Sequence, residues 1–281
     1  MNKMKYALLV LLIPNIYFVN APLLKLMTDN IRLELASDGE NDWHHRKELL
    51  TTQISFYEPD ILGVQEAMPG QINYLVSSLT FLNHTGIGRE GINKGEACAI
   101  FYNHSRFEII KTNTFWLSDT PDSISKGWDA SYVRICTYAL FKDKRTRKKF
   151  WVFNTHLDND GNIARTKGVE LMIKRMKEVN AKNLPIIFMG DFNATPEDEL
   201  ISHIKMKMDD TKDVSVVKPF GPSGTFNAFD FSKPVIKRID YIFISKTPKI
   251  KVNKYAVLSD SDNLSYPSDH LPVYVELIIN Y

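Results

Sequence analysis

The sequence predicts an α/β fold of two mixed β-sheets packed face to face with helices outside, on three observations. Strand-like and helix-like stretches alternate from residue 24 to the C-terminus, with no repeat, low-complexity tract or Gly/Ser linker between them. The β-runs outnumber the helices, several following one another as hairpins and others joined through helices, which requires sheets that mix parallel and antiparallel pairs. At 281 residues and 44% hydrophobic, the chain is long enough to bury one continuous core.

A first strand is expected over 24–31. After the polar loop ASDGEND comes a helix over 43–57, with Leu50, Ile54 and Tyr57 at helical spacing and Pro59 closing it. Residues 60–65 (DILGVQ) read as a short buried strand, and Pro69 opens a second helix at its first turn. Strands follow over 95–102, 107–117, 134–141 and 150–156. Between the last two, KDKRTRKK (142–149) holds six basic residues, read as a solvated hairpin tip with an anionic-ligand contact as the alternative. Residues 162–181 form a helix whose Val169, Met172, Ile173 and Met176 make one core stripe. The apolar strand LPIIFM (184–189), a short helix over 197–204 and closing strands over 238–244 and 272–279 complete the domain.

Composition excludes several classes. With 24% charged residues, 13 Gly and 13 Pro, the chain is neither disordered, collagenous nor polytopic in a membrane. A formal net charge of +2 is too small for binding that rests on bulk attraction to nucleic acid. Cys98 and Cys136 sit in apolar runs without zinc or thiol-redox spacing, so they read as two buried thiols. Lys3 and Lys5 precede the apolar run 7–13, and Val19-Asn20-Ala21 follows, the layout of an export signal over 1–21 ahead of one domain over 22–281. A buried first strand is the alternative for that run, and Pro22 leaves the cut site open. Pro14 and Asn15 interrupt it well short of the roughly 20 apolar residues of a membrane span, so no stable anchor is expected. Removing Lys3 and Lys5 from the 35 basic residues leaves 33 against 33 acidic ones. The expected product is an exported, nearly neutral monomer, periplasmic or secreted.

Polar residues recur at the ends of the apolar strands, where sites are built. Asn30 ends the first strand, Gln65-Glu66 the second and Asn154-Thr155-His156 a later one; Asp191-Phe192-Asn193 follows LPIIFM, Asp240 lies inside RIDYIFIS, and Ser268-Asp269-His270 precedes the last strand. Glu66, Asp269 and Asn30 make a hard-oxygen set without cysteine, suited to Mg²⁺ or Mn²⁺ rather than zinc. Taken singly, Asn30 or Asn193 is an ordinary turn residue, Asp240 an exposed strand carboxylate and His156 a satisfied core histidine. Their joint order overturns those readings. His44 and His45 open a helix without a second ligand set and read as surface or rim residues; Trp116 and Trp128 flank the loop SDTPDSISKG and read as its anchors, with substrate stacking the alternative.

DNI, QE, NTHLDN, GDFN, GTFN, RIDYIF and SDH occur in the order of the endonuclease/exonuclease/phosphatase superfamily, so the chain resembles a deoxyribonuclease-I-like protein over 24–280. The SKGWDA and GTFN blocks are similar to those of its secreted bacterial branch. The resemblance implies a four-layer α/β sandwich and metal-dependent phosphoester hydrolysis; it does not imply the substrate. It implies that Glu66 is the principal metal ligand, with Asn30 and Asp269 beside it. Asp191 would orient and deprotonate the attacking water, with Asn193 on the same phosphate. His270 would face phosphorus with Asp240 fixing its tautomer, or Asp191 and the Asp240–His270 pair exchange roles. His156 resembles a phosphate-oxygen ligand, and Arg134, Asn159 and Asn227 further phosphate or substrate contacts. Asp29 stands where the family commonly has an aromatic residue; on a regular strand it points away from Asn30 and serves the sheet.

The leading expectation is an Mg²⁺-dependent phosphodiesterase or phosphatase acting on a soluble phosphorylated substrate. A nuclease and a sphingomyelinase-like phospholipase C are the enzyme alternatives, and an inactive binding module on the same fold is the non-enzyme one. Intact Glu66, His156, Asp191, Asp240 and His270 argue against the last, and a single basic hairpin gives no long track for duplex DNA.

Overall fold

A computed structural model describes residues 22–280, so the expected export signal lies outside the described residues. Two six-stranded sheets form. The first contains β1 (Leu24–Asn30), β2 (Ile61–Gln65), β3 (Leu82–Thr85), β4 (Ile100–Asn103), β11 (Ile250–Val257) and β12 (Val273–Ile279), in the order β11-β12-β1-β2-β4-β3. The second contains β5 (Phe107–Trp116), β6 (Ile135–Asp143), β7 (Lys149–His156), β8 (Ile186–Asp191), β9 (Met208–Asp210) and β10 (Asp240–Ser245), in the order β5-β6-β7-β8-β10-β9. Each sheet has one parallel pair near its centre, β1 with β2 and β7 with β8, and antiparallel neighbours elsewhere.

Side-chain alternation sends each strand's residues into two cores. Leu24, Leu26, Ile61, Val273 and Val275 meet Phe141, Val152, Ile187, Met189 and Ile242 between the sheets. On the outer face of the first sheet, Met27, Leu62 and Val64 pack under Leu50 and Ile54 of α1 (Trp43–Tyr57) and Ile72 and Leu75 of α2 (Pro69–Ser78). On the outer face of the second, Phe153, Phe188 and Phe243 pack under Val169, Met172 and Met176 of α3 (Asn162–Val179) and Ile201 and Ile204 of α4 (Glu199–Lys207). Four layers result, helix–sheet–sheet–helix, and strands buried on both faces explain why LPIIFM lacks alternation.

The expected elements stand, with shifted ends and three additions. The strand expected over 95–102 starts only at Ile100, because Ala97 makes an isolated bridge to Ala67 instead of joining the ladder. Strands β3, β9 and β11 were not expected. The basic hairpin tip between β6 and β7 lies at the far end of a nine-residue strand from Arg134, roughly 30 Å away along the strand, and Lys144 donates to the His104 carbonyl at 2.7 Å. Cys98 and Cys136 are free and buried. Among the described residues, no helix is long and apolar enough to cross a membrane.

Candidate active site

The two central parallel pairs face each other, and the C-terminal ends of β1, β2, β7 and β8 open on one edge of the sandwich. Parallel strands leave their carboxyl ends together, so the topology gathers residues far apart in sequence. Beneath this edge a polar ladder ties the sheets: Gln65 Nε2 donates to Thr28 Oγ1 at 3.0 Å and Asn154 Oδ1 at 2.7 Å, and Asn154 Nδ2 to the Val64 and Ala99 carbonyls at 2.9 Å.

Asp191, the last residue of β8, is 1% exposed and is the meeting point of the site. Its Oδ2 accepts from Asn30 Nδ2 at 3.1 Å and lies 3.3 Å from His156 Nε2 and 3.8 Å from His270 Nε2, while Oδ1 accepts from the Asn193 backbone N–H at 2.9 Å. Gly190 before it has φ 142°, and a Cβ there would sit 1.9 Å from the Thr155 carbonyl oxygen, so only glycine lets β8 turn toward the edge here. Burial, reinforced by the Asp240 charge, pushes the Asp191 carboxyl up to about 7; His270, the Asn193 N–H and the Asn30 amide pull the other way.

His156 and His270 are driven to opposite charge states. Arg134 Nη1 donates to His156 Nδ1 at 3.0 Å, which places the proton of the neutral ring on Nε2. Asn193 Nδ2, 3.1 Å from Nε2, donates to the Leu157 carbonyl at 3.0 Å, and Asp191 Oδ2 lies 3.3 Å from Nε2, so the Nε2 proton is directed into the site. Burial, with the charges of Arg134 and His270, holds His156 well below the usual histidine range. For His270, burial also opposes charge. The Asp240 carboxylate, bonded to Nδ1 at 2.8 Å, outweighs it together with Asp191 and Asp269, and His270 is held well above that range.

Glu66 follows β2 with φ 60° and Asn193 follows β8 with φ 47°, left-handed conformations that are uncommon outside glycine and cluster at functional sites. Glu66 Oε1 accepts from Asn30 Nδ2 at 3.1 Å and Oε2 from the Leu33 N–H at 3.1 Å. Burial raises the Asp269 carboxyl; His270 lowers it, the Glu66 charge raises it, and Arg32, 3.8 Å from Oδ2, lowers it. Carboxylate and amide oxygens without thiolate, at a mouth where two acids oppose each other, fit a hard divalent cation. The oxygen and nitrogen atoms of Asp191, Asp240 and His270 also lie within 4.8 Å of one another. There the Nδ1–Oδ2 bond and the charge on His270 count against the imidazole as a ligand, while Asp240 Oδ1 is left without a partner.

The site opens into a cleft of about 600 Å³ in which Arg32, Arg89, Arg134 and Lys237 face Glu66, Glu96, Asp191 and Asp269. Asn159 lies on its rim and accepts from Arg134 Nη2 at 3.1 Å. Asn227 departs from the expected substrate contact: its Nδ2 donates to the Ser268 carbonyl at 3.0 Å and its Oδ1 accepts from the Phe229 N–H at 2.7 Å. It clamps the loop that carries Asp269 and His270. Asp29 faces the helix layer on a regular strand, 1% exposed and without a hydrogen-bond partner, and burial raises its carboxyl well above the carboxylate range. Trp116 and Trp128 anchor loops, donating to the Arg89 carbonyl at 2.8 Å and to Asp119 Oδ1 at 3.1 Å. His44 and His45 are exposed, the former bonded to Asp42 Oδ1 at 2.8 Å.

Sequence reasoning missed Arg32, Arg46, Arg89, Glu96 and Tyr132. Arg46, on α1 and 4% exposed, donates to the carbonyls of Ile31 at 2.5 Å, Arg32 at 2.7 Å, Asn41 at 2.9 Å and Pro267 at 3.1 Å, stapling the loop after Asn30 to the loop before Asp269. A charged residue on the Leu50 side of the helix was the available signal.

The sequence pattern of the endonuclease/exonuclease/phosphatase family matches residues 27–270. A solved mannosyl-6-phosphatase of Bacteroides thetaiotaomicron is 36% identical with a TM-score of 0.86, over 91% of this chain and 100% of that one. An uncharacterised protein of Acanthamoeba polyphaga mimivirus is 31% identical over 57% of this chain and 61% of its own length. Nocturnin of Rattus norvegicus is 22% identical over 92% of this chain and 66% of its own. The chain thus spans less than two thirds of the length of these two curated relatives.

Proposed function

This chain belongs to the endonuclease/exonuclease/phosphatase family, and on that premise we propose that it hydrolyses a soluble phosphoester by attack of activated water on phosphorus. The observation that carries the reading is the convergence on Asp191: a carboxylate pushed toward neutral pH, met by a neutral histidine on one side and a charged one on the other. A base is most effective when its pKa is near the working pH, and such a group is worth about 10²- to 10⁴-fold in rate. Asp191 orients a water and takes its proton as the oxygen bonds to phosphorus and the ester oxygen leaves. His270, held charged by Asp240, cannot be that base and instead faces the phosphate. The His156 N–H and the Asn193 amide contribute hydrogen bonds to the equatorial oxygens, and Arg134 keeps the His156 tautomer correct. Glu66, Asp269 and Asn30 hold a divalent cation, Mg²⁺ or Mn²⁺, whose charge when bound neutralises the phosphate.

The 36% identity to a protein named as a mannosyl-6-phosphatase supports a small phosphorylated substrate, and the balanced charges of the cleft support it over a long nucleic acid. Residues 1–21 are proposed to be an export signal, which sequencing of the N-terminus of exported protein checks. The test of function is a panel with Mg²⁺: a phosphomonoester, single- and double-stranded nucleic acid, a dinucleotide, an inositol phosphate and sphingomyelin. Hydrolysis of a soluble phosphoester that Asp191→Asn abolishes is the expected result. Turnover that survives this substitution would refute the assignment.

A further inference from the structure

One wall of the cleft has no part in the chemistry just derived. It is made by the 86–97 loop, carrying Arg89 and Glu96, and by Tyr132, and it adjoins the site through Arg134. Arg134 Nη1 is 3.0 Å from His156 Nδ1 and 4.0 Å from Glu96 Oε2. Arg89 Nη1 contacts Glu96 Oε1 at 2.8 Å. The Tyr132 ring, 49% exposed on its residue, has the Arg89 and Arg134 guanidinium carbons 5.3 and 5.4 Å from its centre.

The wall is held in place from behind. The Arg89 N–H donates to the Glu96 carbonyl at 2.8 Å, Trp116 Nε1 to the Arg89 carbonyl at 2.8 Å, and the Ala97 N–H to the Ala67 carbonyl at 2.9 Å, one residue past Glu66. At Gly88 a Cβ would lie 1.9 Å from the Lys94 carbonyl oxygen, so the loop closes this tightly only with glycine. On the other side, the buried Asp158 carboxylate accepts from the Ser131 and Tyr132 N–H groups at 3.1 and 3.0 Å.

We infer that Arg89, Glu96 and Tyr132 form a subsite for the hydroxyl-bearing carbons of the substrate, which makes the substrate the phosphate ester of a sugar or similar polyol; this rests on the hydrolase reading above. A hydroxyl both donates and accepts, and a carboxylate beside a guanidinium satisfies both roles at once. Glu96 lines the cleft with its Oε2 4.0 Å from Arg134 Nη1, which places the carboxylate to accept from ligand hydroxyls, while Arg89 donates. A second phosphate is disfavoured against a carboxylate. The exposed ring of Tyr132 supplies the apolar surface against which the C–H face of a sugar packs. Because both loops are fixed beforehand, the subsite loses little freedom on binding.

The test compares a hexose 6-phosphate, adenosine monophosphate and phenyl phosphate, using wild type, Glu96→Gln and Tyr132→Ala, with circular dichroism to verify folding. Glu96→Gln should lower kcat/KM for the hexose phosphate about tenfold or more, carried by KM, and change phenyl phosphate by less than about twofold. Tyr132→Ala should act in the same direction. Equal losses on hexose and phenyl phosphates, no loss on either, or a preference for the nucleotide that Glu96→Gln leaves intact would overturn the subsite. Absence of phosphate release from all three by wild type would refute monoester hydrolysis, while the diesters of the panel above test the hydrolase reading itself. Calorimetric binding of the hexose phosphate then decides the subsite: about tenfold weaker binding by Glu96→Gln supports it, and equal binding overturns it.

Discussion

Replacing Asp240 by Asn should disable the same step as removing His270, and the structure sets the size of the effect. Asp240 is 1% exposed, its Oδ2 bonds His270 Nδ1 at 2.8 Å, and its Oδ1 has no partner, so its charge is committed to the imidazole. A hydrogen bond to a charged group is worth about 1.5–3 kcal/mol. Losing it lowers the His270 pKa, and the same energy lost from the transition state is roughly 10- to 150-fold in kcat/KM. The sign is fixed by the raised pKa: the protonated ring is the working form, so activity falls as pH rises through it, and Asp240→Asn moves that alkaline fall to lower pH. The assay is phosphate release from one soluble phosphoester at fixed Mg²⁺, across pH, for both single variants and the double variant, with thermal unfolding to verify the fold. If His270→Ala costs about 10²- to 10⁴-fold, adding Asp240→Asn should cost little more, because groups acting as one unit are non-additive. A double-variant loss equal to the product of the single losses would refute the coupling.

Three further outcomes follow from the same geometry. Chelation should abolish turnover and Mg²⁺ or Mn²⁺ restore it, with Glu66→Gln raising the metal concentration required while leaving the melting temperature of metal-free protein unchanged; chelator-resistant turnover would exclude the cation. Asp191 is active when ionised, so kcat/KM should fall as pH drops through about 7, and Asn30→Ala, which removes an amide donor from its carboxylate, should move that acid limb upward. Arg106 bridges Asp60 at 2.5 Å and Asp143 at 2.9 Å in the interior, far from the cleft, so Asp143→Ala should cost about 3–5 kcal/mol in unfolding experiments with the activity per folded molecule intact.

The parts of the fold that were legible in the sequence are those where a single physical pattern runs undisturbed. Helix α1 begins at Trp43 because Asp42 caps the His44 N–H, and it ends before Pro59 with Glu58 left-handed. Strand β11 escaped notice because a bulge between Val252 and Lys254 breaks its alternation, so its apolar residues fall on no one period. Strand β9 has three residues, two of them Asp, and exists only through its pairing with β10. Asn30, His156 and Asp191 were visible because each ends an apolar strand, and His270 because it precedes one. Arg46 was not, since its meaning depends on carbonyls from residues 31 and 267, which no local window contains. Nor was the use of Asn227, because a cleft residue and a loop clamp have the same composition.

Strand β1 lies between β2 and β12, with Leu24 opposite Leu277 of β12, and Asp269 and His270 stand shortly before that strand. The first strand therefore waits for residues 273–279 before it can acquire its second partner. Until then Asp240 has no imidazole to charge, Glu66 has no opposing acid, and one edge of β1 is unpaired. Order of synthesis thus acts as a safeguard: a chain that stops before residue 269 lacks two of the residues gathered at the site, and its open β1 edge is exposed to mispairing.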